Sequence, residues 1–213
     1  MSKLVSFSKE VEQFLHSRLA SLGFEKRTSG IMTIRISEEV LGWIGLNKAT
    51  GGSKDDVEVN PVVGVRNQRI ETLVADLLEK KFDKVIPPTL AGHIGYMKPS
   101  NKYAPYFFSR DASLEPPAQA LIGDVRDYGI PFIQTHSDVV ALIEGLRTCR
   151  FAIDYMAEYR IPAGLFLLGL TEEAQAALDA ALKKTGDRQD PAALRFRFFA
   201  ANFAAKLGRG TGA

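Results

Sequence analysis

Asp56-Val-Glu-Val-Asn-Pro-Val-Val-Gly-Val-Arg66, running on into Ile70-Glu-Thr-Leu-Val-Ala-Asp-Leu-Leu-Glu-Lys-Lys81, changes its hydrophobic period halfway along. In the first half Val57, Val59, Val63 and Val65 alternate with Glu58 and Asn60, the pattern of a strand with one wet face. In the second half Ile70, Leu73, Val74, Leu77 and Leu78 recur at the steps of one helix face. A β-strand therefore hands over to a helix that covers the same sheet. Asn60-Pro61 interrupts the strand. Proline has no N–H to donate, so an edge position or a bulge is expected there, and Gly64 also permits a bulge.

Upstream, Ile31 to Ile36 alternates, with Met32, Ile34 and Ile36 on one face. Glu38 to Leu46 reads as a second strand, and the loop from Asn47 to Asp56 leads into the opening stretch. Together they predict an antiparallel meander. The loop carries Gly51-Gly-Ser-Lys54, but a phosphate-binding loop needs a different order and a helix after it, so a hairpin tip is expected. Before the meander, Ser8 to Leu22 has a helical stripe of Val11, Phe14, Leu15, Leu19 and Leu22, closed by Gly23. His16 falls off that stripe, which predicts a solvated side chain.

Downstream, Val85-Ile-Pro-Pro-Thr-Leu90 reads as an extended connector. Gly92 to Met97 and Tyr103 to Ser109 read as two further short strands joined by the turn Lys98 to Lys102. A helix from Leu114 to Tyr128 buries Leu121, Ile122, Val125 and Tyr128, and Gly129 and Pro131 are expected to close it. Val139, Leu142, Leu146, Cys149, Ile153 and Met156 make the seam of a long helix that should stop before Pro162. Two alanine-rich helices follow, from Thr171 to Lys184 and, capped by Asp190, from Ala192 to Leu207. The last is apolar on two sides: Phe196, Phe199, Phe203 and Leu207 on one, Leu194, Phe198, Ala201 and Ala205 largely opposite. A slot between other elements is expected for it, with contact to a second copy as the other solution.

The fold class is therefore α+β: an antiparallel sheet of about five strands, helices packed on one face, and a C-terminal helical hairpin. Residues 1–160 form the α+β part and 161–213 the hairpin docked on it, as one unit.

The chain of 213 residues has 46% hydrophobic and 24% charged residues, an ordinary globular balance. A net charge of +2 gives no general pull towards nucleic acid or membrane. Seven basic residues from Lys183 onward face two acidic ones, but they are spread around two helices without a nucleic-acid motif. Cys149 alone excludes an intrachain disulfide and fits a reducing cytoplasm, and its place on an apolar seam predicts inert packing. No signal-peptide or membrane-spanning run is present.

No catalytic motif stands out. His16, His93 and His136 lack metal-ligand spacing, and no metal or cofactor is expected. The richest cluster is His93, Tyr96, Lys98, Lys102, Tyr103, Tyr106 and Arg110, on the second strand pair and its turn. Tyrosine and arginine are enriched at protein-binding hot spots. A non-catalytic interaction protein (an inhibitor, immunity-type or adaptor protein) is the first expectation, with another protein as partner. The second is a small hydrolase-like enzyme in which His93, Arg110 and Asp124 or Asp127 converge, with both acids on a wet helix side. The third is a structural subunit that self-associates through the C-terminal helix, so monomer and homodimer both stay open.

Leu22-Gly-Phe-Glu-Lys-Arg27, Val59-Asn-Pro-Val-Val-Gly-Val-Arg66 and His93-Ile-Gly-Tyr-Met-Lys-Pro99 resemble phrases in uncharacterised bacterial proteins of domain-of-unknown-function families. The resemblance covers about the first 110 residues. It implies a bacterial cytoplasmic α+β protein and transfers no catalytic residue.

Overall fold

In the computed structural model, which describes residues 6–49, 55–148 and 156–210, the chain opens with helix α1 (Phe7–Ala20). Gly23 follows at φ 88°, a left-handed turn that glycine adopts without strain and that ends the helix as its sequence predicts. Strands β1 (Glu25–Thr28), β2 (Ile31–Arg35), β3 (Val40–Ala49) and β4 (Asp56–Asn67) then form an antiparallel meander. Strand β1 is an addition to the expected set: its side chains are all exposed, so it carries no alternation to read. Helix α2 (Gln68–Leu77) starts directly after β4. The Asn67 side chain caps it, accepting the Ile70 N–H at 3.1 Å.

The next two strands do not pair with each other. Strands β5 (Leu90–His93) and β6 (Tyr106–Ser109) both run antiparallel to β4 and lie end to end along it. β5 takes Val62 to Val65, and β6 takes Asp56 to Val59. The expected hairpin is thus replaced by two short strands on one long one. Most of the first is also helical: Ile94–Met97 forms the single turn α3.

This arrangement explains Pro61. β4 is central, not an edge, with β3 paired to Glu58–Asn67 on one side. Backbone groups alternate sides along an antiparallel strand. The carbonyls of Asp55 and Val65 accept bonds from the β6 and β5 side. Pro61 shares their parity, so its missing N–H falls in the gap between β5 and β6, where no ladder bond is lost.

The odd-numbered β4 residues Val57, Val59, Val63 and Val65 are buried, and the helices lie over them. On this first face Lys48 of β3 binds Glu12 of α1, and Gly42 of β3 faces Ile133. Helices α4 (Glu115–Asp124), α5 (Ile130–Thr135), α6 (Val139–Thr148), α7 (Ala157–Leu167), α8 (Thr171–Thr185) and α9 (Pro191–Gly210) complete the chain. One cluster of buried side chains runs from Phe7 to Leu207.

Several helix ends differ from expectation. Gly129 and Pro131 do not stop the fourth helix. A π turn, Val125–Gly129, joins α4 to α5, and the Ile130 N–H reaches back to the Val125 carbonyl. The wider turn takes in the proline, which has no N–H to place. Pro162 likewise lies inside α7, where Ala163, Gly164 and Leu165 are all buried. Met156 precedes α7, while Cys149 and Ile153 of the expected seam, like Gly51 to Lys54 of the hairpin tip, lie outside the described residues. Asp190 caps α9 as expected, accepting the Ala192 and Ala193 N–H groups at 3.1 Å each. Phe196, Phe199, Phe203 and Leu207 are buried, but Leu194, Phe198, Ala201 and Ala205 are exposed. The terminal helix therefore packs on one side only and fills no slot.

His16 is buried, not solvated. It sits beside Glu12 (4.0 Å), whose carboxylate accepts bonds from Lys48, Ser29 and the Gly30 N–H. Burial raises the Glu12 carboxyl, but these three bonds together hold it below its ordinary value. Among the described residues no helix is long and apolar enough to cross a membrane.

Candidate functional site

The residues singled out from the sequence divide between the two faces of the sheet. His93 ends β5 opposite Val62, an even-numbered β4 residue, so it belongs to the second face. Its Nδ1 accepts the Gly95 N–H at 3.1 Å and thereby starts α3. A ring nitrogen that accepts carries no proton, so in the neutral ring the proton sits on Nε2. Nε2 is buried and has no hydrogen-bond partner among the described residues. Burial holds the His93 imidazole below its ordinary value.

Two tyrosines roof this histidine. The Tyr96 ring meets it edge-on at 5.9 Å, and the Tyr103 ring lies tilted at 4.6 Å. Their spacing depends on Gly95. A Cβ there would come within 2.3 Å of the Lys102 carbonyl, so only glycine lets the turn from Lys98 to Lys102 fold back this tightly. The Lys102 N–H closes that turn on the Gly95 carbonyl at 3.3 Å.

The Tyr103 hydroxyl reaches across to β4. It donates to Glu58 Oε1 at 2.9 Å and is also bonded to Asn60 Oδ1, while Asn60 Nδ2 donates to Glu58 Oε1 at 2.9 Å. The Asn60 bond, then the Tyr103 bond, hold the Glu58 carboxyl below its usual range. Desolvation and the Glu58 bond push the Tyr103 phenol up. Phe107 stands next to this group, paired with Glu58 on β6. Phe107 is 67% exposed, Tyr103 52% and Tyr96 37%, so three aromatic rings reach solvent, Tyr96 and Tyr103 over the buried imidazole and Phe107 opposite Glu58.

Lys98, Tyr106 and Asp124 form a separate set on the first face. Tyr106 pairs with Val59 and points with it towards the helices. Lys98 Nζ donates to Asp124 Oδ2 at 2.6 Å, and the Tyr106 hydroxyl binds the same oxygen. Burial, then the Asp124 bond, push the Tyr106 phenol above its ordinary range. Asp124 is therefore half-buried and engaged, not on a wet helix side. Asp127 is exposed and bound by its neighbour Arg126 at 2.7 Å.

Arg110 lies beyond β6. Its Nε donates to Asp55 Oδ1 at 2.8 Å, and its guanidinium sits 4.8 Å from the Phe7 ring centre. His93, Arg110 and Asp124 thus belong to three different sets of partners. Among the described residues no group of three or more His, Cys, Asp and Glu could hold a metal ion. The cations of the C-terminal helices are partly engaged in tying the hairpin together: Arg197 donates to the Gly186 and Arg188 carbonyls at 2.6 Å each.

Phe107, Glu58 and Asn60 are the members of the aromatic group that residue-type clustering passes over. The two-residue period of β6 contains the signal for Phe107, since it must point opposite to Tyr106 and Phe108. Tyr96 also lines a cleft of about 500 Å³ with Met97, Tyr128, Phe132 and His136, beside the π turn.

No family model matches this chain, and searches of curated proteins and of solved structures return no significant match.

Proposed function

We propose that this chain is a non-catalytic, cytoplasmic protein-interaction module of a bacterium, an inhibitor, immunity-type or adaptor protein. Its binding surface is the aromatic end of the second sheet face. The observation that carries the reading is the exposure of Tyr96 and Tyr103 over buried His93 together with Phe107 opposite Glu58, the residue that Tyr103 binds. Rigid amphipathic rings lose little conformational entropy when a partner covers them, and Glu58 with Asn60 supplies polar contacts at the rim. Lys98, Tyr106 and Arg110, bound to Asp124 and Asp55, lie behind or beside this surface.

The test is capture of partners from a native-host lysate by the chain and by Phe107→Asp. A partner held by the first and released by the second supports the surface. A partner held equally by both places binding elsewhere.

A second reading, self-association through α9, draws on the exposed stripe of Leu194, Phe198, Ala201 and Ala205. A two-chain mass in solution, lost in Phe198→Glu, would favour it.

A further inference from the structure

At the far end of β4 the segment that follows α2 folds over Arg66. Arg66, only 1% exposed, is bound there by the Asp83 and Pro87 carbonyls and by Gln68 Oε1 at 3.2 Å. Glu71 Oε2 lies 3.8 Å from it, and Glu71 Oε1 accepts Arg160 Nε at 2.8 Å. One carboxylate therefore faces two buried guanidiniums.

This charged floor opens into a cavity of about 290 Å³. Val74, Leu78, Phe82, Ile86 and Tyr159 make its walls, and Lys80, Lys81 and Arg195 stand among its lining residues. The two acids that line it are engaged. Glu71 is shared between the arginines, and the Asp83 carboxylate accepts the Val85 and Ile86 N–H groups at 2.7 and 2.9 Å. Lys80, Lys81 and Arg195 have no ion pair among the described residues. Low-dielectric walls beneath a ring of like charge focus a positive potential into the cavity.

We propose that this cavity binds a small amphipathic organic anion, with an apolar body between the walls and a carboxylate or phosphate head at Lys80, Lys81 and Arg195. Apolar walls with a few polar groups to fix orientation are the usual composition of a small-molecule site. Neither a neutral apolar molecule nor a free inorganic anion would use both parts. The inference is independent of the aromatic surface, which lies at the opposite end of β4.

Calorimetric titration of the full chain with 4-phenylbutanoate, 3-phenylpropyl phosphate and neutral 4-phenylbutanamide tests it. At least one of the two acids binds, and the amide binds at least tenfold more weakly. The better of the two acids identifies the head group. Lys81→Ala with Arg195→Ala reduces acid binding at least tenfold, and Ala192→Trp, which fills the cavity without changing charge, abolishes it. Circular dichroism melts confirm that the variants fold. Should Ala192→Trp fail to fold, the charge variant decides alone. Equal binding of amide and acids, no binding of any of the three, or wild-type affinity in the charge variant overturns the proposal.

Discussion

Strand β4 presents two unlike surfaces from one alternating sequence. Its odd residues Val57, Val59, Val63 and Val65 are sealed under helices, a purely apolar layer. Its even residues begin with half-open Glu58, Asn60 and Val62 and end with buried Gly64 and Arg66. The first surface stabilises the fold through area removed from water. The second holds a buried charge at one end and exposed rings at the other, and both are arrangements that stability alone does not favour. Polar and ionic groups taken out of water cost free energy unless partners compensate them. Both binding places proposed above draw on these even-numbered residues, Glu58 and Asn60 at one end and Arg66 at the other.

The largest expected effect lies beside the Arg66 end of β4. Glu71→Ala removes the carboxylate that Arg66 and Arg160 both face, and should destabilise by about 3–5 kcal/mol, as breaking a buried pair does. A loss under about 1 kcal/mol in urea denaturation would mean that solvent or the neighbouring carbonyls already carry the charge. On the first face, Ile44→Ala, opposite Val63 and fully buried, should cost about 2–5 kcal/mol by the same measurement. Removing the cap that joins β4 to α2, as in Asn67→Ala, should cost about 0.5–2 kcal/mol.

A pH series sharpens the contrast differently, because each face buries one histidine. His16, near Glu12, Lys26 and Lys48, and His93 under its tyrosines are both held below the ordinary imidazole value by burial. Between each lowered value and about 6.5 the unfolded chain binds more protons than the folded one. Stability is therefore fully present above that window and falls as pH drops through it, by at most about 1.4 kcal/mol per pH unit for each group. Glu12 adds a further loss below its ordinary range, where its bonds to Lys48, Ser29 and Gly30 fail. Urea midpoints at pH 7.5 and 5.5 should differ in the native chain and differ less in His16→Leu. Identical midpoints in the native chain would show that neither histidine resists protonation. The smallest effect belongs to Phe107→Ser, which should leave stability within about 0.5 kcal/mol while weakening the proposed partner contact. A clear loss of stability there would make the ring part of the core.

How much of this is legible beforehand depends on the range of the interaction. The valine alternation and the Ile70 to Leu78 stripe are local, and they suffice for the meander, the helix after it and the α+β class. Gly23 and Asp190 act within one turn and read correctly. The pairing of β5 and β6 does not, because a short turn between two strands suggests a hairpin. What overrides it is the length of β4, whose 12 residues leave room for two four-residue partners in line. Pro61 tells truly of a missing donor, yet only the gap between those partners shows why a central strand tolerates it. His16 looks solvated by helical position, but the approach of β3, bringing Lys48 to Glu12, covers it. The tyrosine group separates because Tyr106 lies on β6 and points to Asp124, whereas Tyr103 precedes the strand and reaches Glu58 and Asn60 on the other face. The Arg66, Glu71 and Arg160 set spans 94 positions of chain between its ends, and no local pattern announces it.

The π turn between α4 and α5 acts as an angular spacer. It closes a bond from Ile130 back to Val125 and so holds one residue more than an α turn. Deleting one residue from Val125–Gly129 should close it to an ordinary α turn and leave Ile133, whose Cγ2 would lie 2.9 Å from a Cβ on Gly42, still facing β3. The same deletion within α4 would turn all that follows by about 100° and should be much harder to accommodate.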